Sequence, residues 1–130
     1  MKEEFTIKDH TEWHGEYKGV QWEIVKWKGY DRYIWNYYIY VKPRKKKYTN
    51  YKIIGIDEKN INYYDMYGDV YMHGEITFMC EILYSYRLRK LHKIGCDFNH
   101  LYDQDIEYSF DDVKSEVVKC IDTLPKDLIK

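Results

Sequence analysis

The stretch from Tyr33 to Val41 reads Tyr-Ile-Trp-Asn-Tyr-Tyr-Ile-Tyr-Val, aromatic or β-branched at every position but Asn36. Such side chains crowd the preceding turn of a helix and suit a pleated surface, so the segment is a strand. A strand needs partners, and the nearest lies just upstream. There Val20, Trp22 and Ile24 alternate with Gln21 and Glu23, the period of two that marks a half-buried strand. Lys28-Gly29-Tyr30-Asp31 supplies turn chemistry between them, so the pair is expected to form an antiparallel hairpin. Residues 1 to 17 are polar with Trp13 and His14 interspersed, and read as a lead-in carrying an edge strand or a short helix.

Beyond Val41 the run Lys42-Pro43-Arg44-Lys45-Lys46-Lys47 ends the strand, because proline cannot donate to a sheet ladder and like charges repel. Ile53-Ile54-Gly55-Ile56 is a short apolar run before Asp57-Glu58-Lys59-Asn60, a loop or one weak helical turn, and a second turn surrounds Gly68. From Val70 to Cys80 the two faces of a strand separate, with Val70, Met72, Gly74, Ile76, Phe78 and Cys80 on one side. Tyr71, His73, Glu75, Thr77 and Met79 take the other. Glu81 to Leu91 fits neither period, and residues 92 to 98 form a short strand ending at Asp97.

The C-terminal segment is helical. Ser109 is the expected N-cap with Asp112 in the capping-box position, Val113, Val117, Cys120, Ile121 and Leu124 make one apolar stripe, and Pro125 marks the stop. The sum is an α+β fold, an antiparallel sheet of about four to six strands with one C-terminal helix packed on it. At 130 residues the chain is expected to be one domain, residues 1 to 130.

The net charge is −1, which leaves no global field to draw the chain onto nucleic acid or anionic lipid. No apolar run has the length of a membrane span, and Met1-Lys2-Glu3-Glu4-Phe5 lacks the apolar centre of a signal peptide. Cys80, Cys96 and Cys120 sit widely spaced within apolar patterns and read as reduced core thiols of a cytoplasmic protein. With no CxxC pair to seed a zinc cluster, no cofactor is expected. The 16 tyrosines favour a sheet with a wet aromatic face, and the joint excess of Lys, Ile, Asn and Tyr also fits AT-rich coding.

Two segments look like a site: Asp69 to Phe78, with His73, and Ile94 to Asp103, with Asp97, His100 and Asp103. His73 and Thr77 share the polar face of their strand, Asp97 ends the next strand, and His100 and Asp103 follow at three-residue steps. Two imidazoles and two carboxylates suit a bound ligand, a divalent metal, or acid–base work with a histidine held by an aspartate. The plainer alternative has Asp97 capping a turn, His100 donating to a backbone carbonyl and Asp103 solvated. For His73, Asp97 and His100 to meet, their strands must be neighbours and must bend at Gly74 or Gly95. Arg44, Lys45, Lys46, Lys47 and Tyr48 form a candidate partner-binding loop, able to grip phosphates or an acidic protein surface. Arg87, Arg89, Lys90 and Lys93 are a second positive cluster, suited to an anionic ligand if it lies by the histidines. Exposed tyrosines are interface-forming residues, and a homo-oligomer is among the assemblies they suit. There is no Gly-rich phosphate loop and no G-x-S-x-G elbow.

Several of these pieces resemble, in order, the pattern of a family of small proteins encoded mainly by bacteriophages and prophages. Gly19-Val20-Gln21-Trp22 and Tyr40-Val41-Lys42-Pro43 look like its first two elements. His73-Gly74-Glu75-Ile76-Thr77-Phe78 is similar to its H-G-G-[LI]-T-[FY] segment, and Gly95 through Asp103 to its G-F-D-x-x-H-x-x-D segment. Val113-Lys114-Ser115-Glu116 fits its helix. The chain departs at Glu75, which replaces the second Gly, and at Cys96, which replaces the Phe. The resemblance implies no particular activity. It implies an accessory protein at work in the cytoplasm of an infected bacterial cell, with a host defence protein or a small anionic nucleotide as its partner. A non-enzymatic binder is therefore the favoured expectation, and a small metal-dependent hydrolase or nuclease built on the His/Asp cluster is the alternative.

Overall fold

The strand expected at Tyr33–Val41 has those bounds and is the fourth of six. The computed structural model describes residues 3–7, 9–44, 67–84 and 89–129. The strands are β1 (Glu3–Ile7), β2 (His10–Tyr17), β3 (Val20–Lys28), β4 (Tyr33–Val41), β5 (Phe78–Tyr84) and β6 (Arg89–Asp97). They form a single sheet in the order β1-β2-β3-β4-β6-β5, antiparallel throughout. The helix α1 (Phe110–Asp122) packs across β3 and β4. Its Ser109 hydroxyl accepts from the Asp112 N–H at 3.1 Å, and the Asp112 carboxylate accepts from the Ser109 N–H at 2.8 Å, which satisfies two of the helix's unpaired donors. Val113, Val117 and Cys120 are fully buried.

The first seventeen residues do more than lead in, since they supply both β1 and β2. Lys18 and Gly19 both take positive φ, at 50° and 81°. That is the two-residue hairpin turn whose twist matches paired strands, and it joins Tyr17 to Val20 in register.

One face of the sheet is dry. Trp22, Ile24, Tyr37, Ile39, Val41, Ile94 and Cys96 point to α1 and are at most 4% exposed. The opposite face carries polar and aromatic side chains such as Glu12, His14, Glu23, Tyr38 and Lys93. Gly95 on β6 makes room there, because a Cβ on it would collide with the Tyr38 ring and lie 2.6 Å from the Tyr37 carbonyl oxygen.

The strand expected from Val70 to Cys80 begins only at Phe78. Val70, Met72 and Ile76 are buried as their alternation indicates, but the backbone bends at His73–Glu75 and Gly74 has φ +72°. Phe78 then lies on the polar face, edge-on to Tyr38 at 5.2 Å. Residues 81 to 84 and 89 to 91, which fit neither period, continue β5 and open β6. The weak run at residues 51 to 64 lies outside the described residues.

Candidate functional site

Side chains from three separate segments meet beneath the end of β6. Asp103 is at their centre, in a short 3-10 turn (Leu101–Asp103), and is fully buried. A buried carboxylate is costly unless donors surround it, and Asp103 has four. Its Oδ1 accepts from the Tyr108 hydroxyl at 2.5 Å and His73 Nε2 at 2.7 Å. Its Oδ2 accepts from the His100 backbone N–H at 2.9 Å and His100 Nδ1 at 3.0 Å. Burial works to raise its pKa, but the bonds from Tyr108, His100 and His73 outweigh it and hold the carboxyl below its ordinary value.

His73 comes from the bend before β5. Its Nδ1 lies 2.7 Å from Glu116 Oε2 on α1, and its Nε2 faces Asp103. A carboxylate on each nitrogen suits a doubly donating imidazolium. Burial lowers the His73 pKa, and the bonds to Glu116 and Asp103 more than reverse this, so it stands above the usual histidine value. The ring lies flat on Phe98, with centroids 3.7 Å apart, and its backbone N–H donates to the buried Tyr37 hydroxyl at 3.2 Å.

His100 completes the group. The bend at His73–Glu75 and the turn after β6 bring it beside His73, and their rings lie 5.8 Å apart. Gly74 lies against the His100 ring and the Tyr102 hydroxyl, and a Cβ there would meet both at 2.6 Å. With Nδ1 held by Asp103, His100 stacks on Tyr102 at 5.0 Å. Its Nε2 makes no hydrogen bond among the described residues. An aspartate-held imidazole with one open nitrogen can move a proton or bind a ligand. His73, His100 and Asp103 also offer ligand atoms within 4.8 Å of one another. To hold an ion there, they would have to give up their bonds to each other.

The two shifted groups fix the sign of a pH dependence. His73, with a raised pKa, contributes stability that is complete below its reference value of 6.5 and is lost as pH rises through the folded value. Asp103, with a lowered pKa, contributes above its reference value of 3.8, and this is lost as pH falls through the folded value. Chemical denaturation followed against pH is expected to show stability falling on the alkaline side of 6.5, with His73→Gln removing that slope. An unchanged alkaline slope in His73→Gln would assign the titration elsewhere.

Of the residues expected at the site, His73, His100 and Asp103 come together, and Asp97 and Thr77 do not join them. Side chains alternate along a strand, so with Cys96 in the core Asp97 faces the Tyr38 side, paired in register with Asn36. Its carboxylate accepts from the Asn99 N–H at 3.3 Å. Thr77 is half-buried, and its backbone N–H donates to the Gly95 carbonyl at 2.9 Å. Lys93 likewise faces away from the histidines, over the Tyr38 ring at 4.5 Å, so it supplies no charge to them. The Arg44 guanidinium bridges Asp69 at 2.6 Å and Asp127 at 2.8 Å. Lys45, Lys46, Lys47, Tyr48 and Arg87 lie outside the described residues.

Glu116 and Tyr108 are site residues that the sequence reading passed over. Glu116 had a signal, since it falls on the apolar stripe of α1 beside Val113, Val117 and Cys120, where a carboxylate needs a buried partner. Tyr108 had none, being one tyrosine of 16 in an irregular segment.

Behind Phe98 and Tyr108 is a cleft of about 370 Å³, lined also by Lys26, Arg32, Tyr33, Trp35 and residues 104 to 107. The Lys26 ammonium lies 4.8 Å from the Tyr33 ring centre and 5.3 Å from that of Trp35, with no carboxylate partner among the described residues. Arg32 donates to Asn99 Oδ1 at 2.7 Å and to the Asp103 carbonyl at 3.3 Å. The cleft and the histidine cluster therefore share the wall made by Phe98 and Tyr108. Comparison of the chain with protein-family models, curated proteins and solved structures finds no match in any of the three.

Proposed function

We propose that the chain is a binding protein without catalytic turnover, a phage-type accessory that counters host defence by sequestering a nucleotide-like signal or engaging a defence protein. The observation that carries this reading is the cleft, where Lys26 stands over the Tyr33 and Trp35 rings and Arg32 adds a second cation to a lining that also holds Asp105 and Glu107. Its size falls at the lower end of small-molecule sites, and cations beside aromatic faces suit a ligand with both a phosphate and a base. Around it the segment after β6 exposes Leu101 (84%), Tyr102 (55%) and Ile106 (48%), apolar side chains that serve a protein contact equally well. The motif resemblance supplies the phage setting. No helix among the described residues is long and apolar enough to cross a membrane.

The histidine cluster supports this reading as a scaffold. Its bonds join the turn after β6, the bend before β5 and α1, and so fix the wall of the cleft from behind. The rival, a metal-dependent hydrolase, draws on the 4.8 Å grouping of His73, His100 and Asp103. Capture of the chain from bacterial lysate, with mass spectrometry of its small-molecule and protein fractions, separates the readings. A nucleotide recovered unaltered in stoichiometric amount, or a defence complex carried along, is the expected outcome. Turnover of a nucleotide or nucleic acid that chelator and His100→Ala both abolish would replace the binder with the hydrolase.

A further inference from the structure

The polar face of the sheet, on the side away from α1, carries a second cluster that the binding function does not use. His10, Glu12 and His14 occupy alternate positions of β2, so all three point to that face. His14 stands directly across from Glu23 on β3. His10 Nε2 is 2.7 Å from one Glu12 carboxylate oxygen, and His14 Nε2 is 3.1 Å from the other. His14 Nδ1 lies 3.7 Å from Glu23 Oε2. Glu12, His14 and Glu23 each present a ligand atom within 4.8 Å of the others.

We propose that Glu12, His14 and Glu23 bind one divalent ion of the zinc class across β2 and β3, with His10 orienting Glu12 from its free side. Mixed imidazole and carboxylate donors suit a borderline ion such as Zn²⁺ better than Mg²⁺, which prefers oxygen alone. An i, i+2 pair with its cross-strand neighbour forms a compact triangle on a rigid surface, and a modest contraction brings its atoms to bonding distances of about 2.0–2.2 Å. A histidine on the second oxygen of a ligating carboxylate is a common way to hold it in place. Glu12 and His14 are each 34% exposed, so an ion can reach them, while Glu23 is 9% exposed and forms the floor.

The inner cluster is the poorer host. Asp103 already has four donors and no exposure, whereas Glu23 accepts from two side chains that reach in across the sheet face, the Tyr40 hydroxyl at 3.2 Å and the flexible Lys93 ammonium. Lys93 Nζ is 3.2 Å from Glu23 Oε2. It can swing aside onto the Tyr38, Tyr40 and Phe78 rings, whose centres are 4.5 to 5.9 Å from it. Zinc and Lys93 therefore compete for the same carboxylate, and removing the lysine charge should favour the metal.

Isothermal titration of the full chain with ZnCl₂ alone, and with MgCl₂ for comparison, tests the site. The expected result is one saturable Zn²⁺ per chain and no comparable Mg²⁺ binding. Affinity should be weaker by about tenfold or more in His14→Ala and in Glu12→Gln, unchanged in His100→Gln, and several-fold tighter in Lys93→Met. His14→Ala and Glu12→Gln act at partly exposed positions, and circular dichroism establishes that each variant is folded. The proposal is overturned by the absence of saturable Zn²⁺ binding, by binding that survives both His14→Ala and Glu12→Gln, or by binding that disappears in His100→Gln, which would move the ion to the inner cluster.

Discussion

Asp103→Ala is expected to cost about 3–5 kcal/mol of folding stability, the range for removing one partner of a buried charged network. The substitution leaves His73 with a charge and one counter-ion in place of two, and it takes the acceptor away from the partly buried Tyr108 hydroxyl and His100 N–H. Against a typical domain stability of about 5–15 kcal/mol, this approaches unfolding. Asp103→Asn should cost less, because it keeps the shape. Its amide, though, must turn an NH₂ toward donors on one side, either His73 and Tyr108 or the two His100 groups. Urea unfolding of the three proteins at pH 6 gives the order. A loss below about 1 kcal/mol in Asp103→Ala would mean the network is not a structural centre.

Gly74→Ala is expected to cost about 2–4 kcal/mol, from two sources that act together. A non-glycine residue at φ +72° carries backbone strain of about 1–3 kcal/mol. The new methyl would also meet the His100 ring and the Tyr102 hydroxyl at 2.6 Å, and overpacking of this kind costs about 1–3 kcal/mol. Because the clash falls on His100, its imidazole NMR signals should shift more than those of His10 or His14. A stable Gly74→Ala with unmoved His100 resonances would contradict the close approach.

The strongest sequence signals proved to be the structurally simplest segments. The strand Tyr33–Val41 and the helix beginning at Phe110 stand where the residues place them, because a sheet buried on one face and an amphipathic helix each impose a clean period. Val70–Thr77 shows the limit. Its alternation is that of a strand and its apolar residues are buried, yet the chain bends at Gly74 to bring His73 beneath His100. Burial alone does not reveal whether an alternating segment has a pairing partner. Asp97 is grouped with the histidines by proximity in sequence, and one step along β6 sets it on the opposite face, where Lys93 also lies. In β2 the polar face is a row of His and Glu, which hides the period among residues 1 to 17. His10 and His14 stand four residues apart, an HxxxH spacing that the expectation of no zinc-seeding pair overlooks. Arg44 sits within a basic run that the sequence presents as a partner-binding loop, and its ion pairs with Asp69 and Asp127, which come from distant segments, are not legible there.

On the proposed reading two roles lie back to back, a histidine–aspartate scaffold and an aromatic cleft in which Lys26 meets the ligand. Titration of the wild type and Lys26→Met with the nucleotide recovered from lysate, followed by fluorescence of Trp35 and its neighbouring tryptophans, tests this division most directly. The account expects Lys26→Met to bind at least about tenfold more weakly, the loss of one charge-assisted contact, while its thermal midpoint stays that of the wild type. Equal affinity in Lys26→Met, with ligand binding lost instead in a folded His100→Gln, would contradict it and return the site to the histidines.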